Sequence, residues 1–291
     1  MIDILHPTRD RRRIAQVCAD GYRCVDAWPD VLVELGAIER PDTDQAERAR
    51  HIARCWPERA VAAASRYVVY PWRRTMVRLP ERDLFHRMRT ARNRWLLDEG
   101  EQRAWAQARI GIAGLSVGSS VLTVCALTGA RRLRVTDPDT LGLTNLNRLA
   151  GSVCDLGTAK LDLAMRRVLE LDPYASVEGF ANGYTPSEAD RFLDGLTVLV
   201  EEMDDLAMKL HIRIRAKAAR IPVVMVTDNG DDVILDVERF DLDPDYPVLH
   251  GRVGADDLSG VDLGDLSDPA CRVRLAGDRR RGVAADAPFA R

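Results

Sequence analysis

The sequence of 291 residues lacks the features that mark secreted, zinc-binding or membrane-spanning proteins. Its six cysteines include no Cys-x-x-Cys pair, so neither a zinc knuckle nor a disulfide framework is indicated, and we expect reduced, mostly buried thiols. No apolar run approaches the about 20 residues that cross a bilayer. The first residues carry apolar side chains before their charges, the reverse of a secretory signal. We therefore expect a soluble, cytoplasmic protein with no membrane partner.

The chain also lacks a strong charge of either sign. Lys and Arg total 42 against 45 Asp and Glu, a formal net charge of -3, so an electrostatic function must be local and nucleic acid is an unlikely partner. The strongest local charge lies between Pro71 and Trp95, where eight arginines face two acids. This basic linker is open to two interpretations, a solvated helix face or a surface that meets phosphate or nucleic acid.

Composition and length indicate a folded protein of about two domains. Hydrophobic residues make up 46% and charged residues 30% of the chain. Apolar residues recur at helical spacing in VLVELGAI and in ERAVAAASRYVVY, which predicts helices near the N-terminus. We expect a helical N-terminal extension over residues 1–80, an α/β domain over 81–255, and an irregular, partly disordered tail over 256–291.

From Arg109 onward, short apolar runs alternate with longer helical segments, as in successive βαβ units. The predicted strands are RIGIAG, RRLRVTD, TVLVEE and PVVMVTD, and the predicted helices are Ser119–Thr128, Lys160–Leu171 and Ala207–Arg220. This alternation predicts an α/β fold with a mostly parallel sheet.

The turn after the first of these strands has a glycine at each end, Gly114 and Gly118, with Ser116 between them. Such glycines let the backbone approach a phosphate, and the following helix directs free N–H groups toward it. The lysine of a Walker A loop is missing, so P-loop chemistry is not indicated. Asp137 ends the second strand, where an acid can accept hydrogen bonds from a ribose. Together the loop and the acid favour a nucleotide, with a tight turn that binds no ligand as the alternative.

Charged residues at later strand and helix ends suggest which chemistry the nucleotide undergoes. Arg148 and Lys160 can converge on phosphates, which suits phosphoryl or nucleotidyl transfer better than hydride transfer. Asp204 follows the third strand and is well placed to hold Mg²⁺. Each of these residues alone could equally be a solvated surface charge.

Four segments follow one another along the chain: Asp137-Pro138-Asp139, Thr144 to Arg148, Gly157 to Lys160, and Glu201 to Asp205. In this order they resemble the motifs of the ThiF/MoeB/E1 family, whose members adenylate the C-terminal carboxylate of ubiquitin-like and sulfur-carrier proteins. The resemblance covers residues 90–250. It implies a Rossmann-like ThiF/E1 adenylation fold with a mostly parallel sheet, preceded by a small, mainly helical N-terminal unit.

The resemblance also implies a role for each matching residue and the cofactors ATP and Mg²⁺. Asp137, with Asp139 beside it, would bind the ribose, and Asp204 would hold Mg²⁺. The residues expected to contact the phosphates are Gly114, Ser116, Gly118, Asn145, Arg148 and Lys160. Ala91 to Trp95 is similar to a box whose last arginine, here Arg94, reaches into a partner's ATP site, which implies a homodimer. The catalytic set is thus Arg148, Lys160, Asp204 and Arg94.

The implied enzyme is an adenylyltransferase in which a carboxylate attacks the α-phosphorus of ATP, giving an acyl adenylate and pyrophosphate. The carboxylate would belong to a ubiquitin-like or sulfur-carrier protein, a peptide or a small acid. The alternatives are a nucleotide-binding module whose catalysis has decayed, a tRNA-modifying family member, and a hydride-transferring oxidoreductase.

The sequence departs from the family pattern at three places. The glycine loop is one residue shorter and has Ser116 and Val117 where glycines are usual, and Glu201 and Asp205 add negative charge beside the nucleotide. Neither zinc-binding cysteine pair of many family members is present, and Cys271, the only late thiol, has no mark of a catalytic cysteine. The N-terminal part and the run after PVVMVTD are similar to an actinobacterial subset in which this module can be fused to a nitroreductase-like domain.

Overall fold

The computed structural model describes residues 1–229 and 231–251, which divide into two compact units. The first unit comprises Met1–Gln107, Cys125–Arg131 and Val168–Ala175, and the second comprises Ala108–Val124, Arg132–Arg167 and the described residues from Ser176 to Gly251. The expected tail over 256–291, with Cys271, lies outside the described residues. The domain boundaries expected from the sequence stay predictions.

The first unit is built on a four-stranded sheet of order β1-β3-β4-β2, in which β2 runs parallel to β4 and the other pairs are antiparallel. The strands are β1 (Asp3–Leu5), β2 (Arg23–Asp26), β3 (Ser65–Tyr70) and β4 (Thr75–Pro80). The helices are α1 (Arg11–Ala19), α2 (Trp28–Glu39), α3 (Gln45–Cys55), α4 (Glu58–Ala63), α5 (Arg82–Thr90) and α6 (Glu99–Gln107). Short 3-10 helices span Pro71–Arg73 and Ala91–Trp95.

The helices predicted near the N-terminus are present, but the sheet beside them was not predicted from the sequence. VLVELGAI lies in α2 as expected, whereas the segment SRYVVY, assigned to a helix by its spacing, is β3. Its β-branched and aromatic residues favour a strand, and it pairs antiparallel with β4, for example Val68 with Val77. The helix that precedes it, α4, ends at Ala63.

The arginine-rich segment that the sequence suggested to be a linker is part of this folded unit. It contains β4 and α5, and ion pairs hold several of its arginines to other elements of the unit. Arg78 pairs with Asp26 at 3.0 Å and Arg87 with Glu39 at 2.7 Å. These pairs account for part of the positive charge without any nucleic acid.

The second unit contains a six-stranded sheet of order β10-β9-β8-β5-β6-β7, parallel except for the antiparallel β10. The strands are β5 (Arg109–Ala113), β6 (Arg132–Thr136), β7 (Ser176–Phe180), β8 (Val198–Glu201), β9 (Val223–Asn229) and β10 (Asp232–Glu238). The helices are α7 (Gly118–Thr128), α8 (Lys160–Leu171), α9 (Ala189–Leu193) and α10 (Leu206–Ala218), with short 3-10 helices at Leu143–Asn147, Val153–Asp155, Pro186–Glu188 and Val248–Gly251. The predicted α/β fold with a mostly parallel sheet is confirmed.

The strand order places the ends of three strands around one point. β5 lies between β6 and β8, so the chain moves from β5 to one side through β6 and later to the other side through β8. The carboxyl ends of β5, β6 and β8 therefore meet at one edge of the sheet, where the order reverses. In open parallel sheets, ligands bind in the crevice at such a point.

An ion cluster fixes α10 to two strands of the sheet. The Arg213 guanidinium, fully buried on α10, contacts the carboxylates of Glu201 on β8 and Glu238 on β10, the latter at 2.7 Å. Lys209 lies 3.0 Å from Glu201. Since a buried charge is costly without a partner, each member depends on the others.

Replacing Arg213 with alanine should cost about 3–5 kcal/mol of folding free energy, because it leaves Glu201 and Glu238 buried without their cation. The matched control is Arg215→Ala on the same helix, whose ion pair with Asp190 is exposed and should contribute less than about 1 kcal/mol. Urea denaturation at neutral pH measures both changes. Equal losses of unfolding free energy in the two variants would contradict a larger contribution of the buried cluster to stability.

Over the described parts of the chain, no helix is both long enough and apolar enough to cross a membrane.

Candidate active site

The glycine loop follows β5 and packs closely against the segment that leaves β8. Gly114 has a φ of +91°, and a Cβ atom there would lie 2.4 Å from the carbonyl oxygen of Glu202. At Gly118, the first residue of α7, a Cβ would lie 3.0 Å from Cγ2 of Ile112. Gly114 is therefore required both by the close packing against backbone and by its left-handed conformation, whereas a side chain at position 118 would need the Ile112 side chain to shift slightly.

Asp137 holds this loop in place from the end of β6. Its carboxylate accepts hydrogen bonds from the backbone N–H groups of Leu115 at 2.6 Å and of Asp139 at 2.9 Å, and the residue is only 6% exposed. The side chain of Asp139 is 64% exposed and accepts a hydrogen bond from Lys160 Nζ at 2.8 Å. Of the two acids, Asp139 is the one whose carboxylate is open to a ligand.

Arg148 reaches the glycine loop from the short helix Leu143–Asn147. Its Nε donates a hydrogen bond to Oγ of Ser116 at 2.8 Å, and its Nη1 donates to Oδ1 of Asn147 at 3.0 Å. Asn145 uses its side-chain oxygen within the same turn, where it accepts from the N–H of Gly142 at 2.9 Å. The contact of Asn145 with phosphate stays a prediction.

The acids after β8 have distinct surroundings. Glu201 is buried in the ion cluster with Arg213 and Lys209, and Asp205 caps α10 by accepting from the N–H groups of Ala207 and Met208 at 2.9 and 3.1 Å. Their extra negative charge thus has partners within the fold. Asp204 lies between them with an exposed side chain.

A depression with a volume of about 380 Å³ lies where these segments meet. Of the residues predicted from the sequence, those that line it are Gly114, Ser116, Asp137, Asp139, Lys160 and Asp204. Lys160 and Arg148 also border a second, more apolar depression of about 290 Å³ between α7 and α8. The structure therefore brings the predicted loop, the acid pair and the lysine to one place, and Arg148 joins them through Ser116.

Asn182, Tyr184 and Glu202 are among the further lining residues that were missed as site residues. Asn182 and Tyr184 follow β7, a strand that the sequence analysis did not predict, and the rule that ligands bind at strand ends would have found them had β7 been recognised. The Tyr184 hydroxyl is fixed by a 2.9 Å hydrogen bond with Nδ1 of buried His211. Glu202 lies within a recognised motif but had no assigned role.

Glu202, which lines the depression, has an altered acidity. Burial raises its pKa to about 7, and the neighbouring Glu201 carboxylate adds to the rise, although the Val226 N–H donates a hydrogen bond to its Oε1 at 2.8 Å. Near neutral pH, Glu202 is therefore partly uncharged.

The site has more acids than cations, which favours binding of a cation together with an anionic ligand. Lys160 faces Asp137, Asp139, Glu202 and Asp204 in the same depression. Within residues 1–229 and 231–251, no three His, Cys, Asp or Glu groups cluster as a metal site. Mg²⁺ commonly binds through one or two carboxylates and the phosphates of a substrate, so Asp204 fits that kind of site.

Arg94 belongs to the first unit, on the short helix Ala91–Trp95. Its guanidinium lies 5.2 Å from the ring centre of Trp95, which is 87% exposed. The neighbouring Asn93 anchors this helix by donating to Gln102 Oε1 at 2.8 Å and to the Thr128 carbonyl at 3.1 Å. The expected reach of Arg94 into a second copy stays a prediction.

In the comparison with known proteins, residues 90–228 match the ThiF family. We refer to this matched segment as the ThiF domain; it includes parts of both compact units. Residues carrying the predicted motifs, from Arg94 to Asp204, all lie within it.

The chain is similar in sequence to proteins whose names indicate different activities. The chain is 42% identical over 206 residues to the uncharacterized protein MT1398 of Mycobacterium tuberculosis, covering 69% of this chain and 28% of that protein. It is 28% identical over 154 residues to tRNA threonylcarbamoyladenosine dehydratase of Bacillus subtilis, covering 50% of this chain and 60% of that one. It is 23% identical over 115 residues to a probable molybdopterin-synthase adenylyltransferase of Porphyra purpurea, covering 39% and 30%. The chain thus spans less than two thirds of each of these relatives.

Among solved structures, the chain is similar to the tRNA N6-threonylcarbamoyladenosine dehydratase TcdA of E. coli in complex with ATP. The TM-score is 0.49 at 23% identity, covering 54% of this chain and 65% of that one.

Replacing Gly114 with alanine should destabilise the ThiF domain more than the same change at Gly157. Both glycines have positive φ angles, +91° and +82°, but a Cβ at Gly157 has no atom within 4 Å, whereas one at Gly114 meets backbone. Backbone strain of about 1–2 kcal/mol is common to both, and the clash should add about 1–3 kcal/mol at Gly114 only. Urea denaturation of the two variants tests this, and a Gly114→Ala variant as stable as Gly157→Ala would contradict the packing described.

Glu202 should make the stability of the ThiF domain fall as pH rises. Its folded-state pKa of about 7 lies above that of an unfolded glutamate, so its stabilising contribution is complete in acid and is lost as pH rises through about 7. Urea denaturation of wild type and Glu202→Gln at pH 5 and pH 8 measures this. Wild type should lose more stability than the variant between the two pH values; identical pH dependence would contradict the assigned environment.

Proposed function

We propose that the ThiF domain catalyses ATP- and Mg²⁺-dependent adenylation of a carboxylate. The observation that carries the proposal is the meeting of Lys160 with Asp139, 21 residues apart, at 2.8 Å in the depression that the glycine loop borders. This pair provides an anion that can accept hydrogen bonds from ribose hydroxyls and a cation that can bind phosphates. It lies at the edge of the sheet where the strand order reverses.

The residues divide the work of holding the nucleotide. The resemblance assigned the ribose to Asp137, but that acid is buried and bonded to the loop, so the proposal gives the ribose to the exposed Asp139 instead. Lys160 exchanges its contact with Asp139 for the phosphates when ATP enters. Arg148, fixed to Ser116 at 2.8 Å, adds a second cation beside the loop.

Asp204 is the residue that would hold Mg²⁺, with phosphate oxygens and water as the remaining ligands. When bound, the ion neutralises charge on the phosphates. The first acid of the motif, Glu201, is not available for this role because Arg213 and Lys209 hold it in the core.

The reaction needs positioning and charge neutralisation more than proton transfer. A carboxylate oxygen of the acceptor attacks the α-phosphorus, the bond to the bridging oxygen of pyrophosphate breaks, and an acyl adenylate forms. The acceptor is already ionised near neutral pH, so no general base is required. Lys160 and Arg148 stabilise the negative charge that develops on the phosphate oxygens.

The acceptor we propose is the C-terminus of a ubiquitin-like or sulfur-carrier protein, a peptide or a small acid. We further propose that two copies form a homodimer in which Arg94 of one copy serves the site of the other, and that the protein works in the cytoplasm. The exposed position of Arg94 beside Trp95 supports the proposed role of Arg94 in the homodimer.

Lys160→Ala should abolish most activity while leaving the fold intact. Removing one group that stabilises transition-state charge typically costs about 10²–10³ in rate. The measurement is ATP–pyrophosphate exchange with a panel of carboxylates, together with calorimetric titration of ATP and Mg²⁺.

The matched control is Lys217→Ala on α10, because Lys217 does not line either depression of the site. Exchange that depends on Lys160 but not on Lys217 supports the proposal. Wild type that binds ATP without any exchange would indicate the decayed nucleotide-binding module instead. Thermal stabilisation by NAD, with none by ATP and Mg²⁺, would favour an oxidoreductase.

A tRNA-modifying activity is the second candidate, favoured by the 28% identity to the Bacillus subtilis tRNA threonylcarbamoyladenosine dehydratase. In that case the activated carboxylate belongs to RNA. Binding to tRNA measured across a salt series distinguishes this candidate, since log K falls by about 0.7–0.9 of a unit per phosphate contact for each tenfold rise in salt. Adenylation without salt-sensitive RNA binding would favour a protein, peptide or small acid.

A further inference from the structure

Two thiols in the first unit lie next to each other at the end of α1 and the start of β2. The sulfur atoms of Cys18 and Cys24 are 3.0 Å apart, and both residues are exposed. The expectation of mostly buried thiols is wrong for the described cysteines, of which only Cys125 is buried. The other exposed thiols among them differ in their neighbours: Cys55 Sγ lies 3.8 Å from Nδ1 of His51, and Cys154 lies in the second unit.

The turn between the two cysteines keeps the sulfurs together. The helix ends at Ala19, Gly21 reverses the chain with a φ of +75°, and Cys24 then pairs with Met76 of β4. Arg74 fastens this turn: its Nη2 donates to the Asp20 carbonyl at 2.8 Å, and its guanidinium lies 5.2 Å from the Tyr22 ring centre. The approach of the thiols is therefore built into the local fold.

The acidity of Cys24 reflects this neighbour. The hydrogen bond with Cys18 raises the pKa of Cys24, and burial and the charge of Cys18 act in the same direction. Burial likewise raises the pKa of Cys125, to about 11; unlike Cys24, that thiol is also shielded from a reagent in solution.

We propose that Cys18 and Cys24 form a thiol–disulfide modification site, at which a low-molecular-weight disulfide oxidises the pair to an intramolecular disulfide. A disulfide has an S–S length of about 2.05 Å, so the sulfurs need to move together by only about 1 Å. Neither the ATP site nor the proposed adenylation is involved.

The exchange proceeds in two balanced steps. The thiolate of one cysteine attacks a sulfur of the small disulfide, so a bond forms between protein and reagent, the reagent's S–S bond breaks, and one small thiolate leaves. The second cysteine, also as thiolate, then attacks the protein sulfur, forming the Cys18–Cys24 bond and releasing the second small thiolate. The two protein thiols are oxidised, the reagent is reduced to two thiols, and the two protons from the cysteines end on the released thiols or the buffer.

The new bond would tie the end of α1 to β2, an edge strand of the sheet, and close a loop of seven residues from Cys18 to Cys24. Cross-linking restricts the unfolded chain more than the folded one, so the oxidised protein should melt at a higher temperature.

The test uses the full chain and oxidised glutathione as the probe. After oxidation, free thiols are alkylated and the protein is digested with trypsin without reductant. Trypsin separates the two cysteines, since Arg23 lies between them and the peptides are Ile14–Arg23 and Cys24–Arg48. We expect these two peptides joined without glutathione, and separated again after reduction, while Cys55 and Cys154 carry glutathione as mixed disulfides.

Single variants check the second step. In Cys18→Ser the remaining Cys24 should retain glutathione, and in Cys24→Ser the remaining Cys18 should do so, because no neighbour can displace it. Cys55→Ser should leave the Cys18–Cys24 bond unchanged. Retention of glutathione on Cys18 or Cys24 in the wild type, or recovery of both as alkylated thiols under conditions that modify Cys55, would overturn the proposal.

Discussion

The close approach of Gly114 to the carbonyl of Glu202 is the constraint on which the second unit's candidate site depends. This approach places the carboxyl end of β5 against the carboxyl end of β8. Asp137, at the end of β6, accepts a hydrogen bond from the Leu115 N–H in the glycine loop at 2.6 Å. Contacts within the chain thereby hold three strand ends together. A side chain at position 114 would separate them, and the depression that they border would lose its shape.

The acids near the site differ in their partners: some stabilise the fold, and others have side chains that are accessible to a ligand. Arg213 and Lys209 neutralise Glu201, and Asp205 caps α10. Asp139 and Asp204 remain with exposed side chains. Packing therefore explains Glu201, and capping of α10 explains Asp205. Asp205 also lines the depression, where the N–H groups of Ala207 and Met208 offset part of its charge.

Much of the second unit could be predicted because its signals are local. Helix Lys160–Leu171 has the predicted bounds, and the apolar runs became β5, β6, β8 and β9. β7 was missed because SVEGF lacks a strong apolar run, so Asn182 and Tyr184 were missed with it. The burial of Glu201 could not be predicted, since it depends on Arg213 and Glu238, which pair with it only in the folded chain. The first unit's sheet was missed because helical spacing in ERAVAAASRYVVY continued past Ala63, where strand propensity prevails.

The most direct test of the central claim is a crystal structure of the protein with ATP and Mg²⁺. The account predicts that Lys160 Nζ leaves Asp139 and lies within hydrogen-bonding distance of a phosphate oxygen, with the ribose on Asp139 and the Asp204 carboxylate on the metal. A structure in which the nucleotide binds elsewhere, with Lys160 still paired to Asp139, would contradict it.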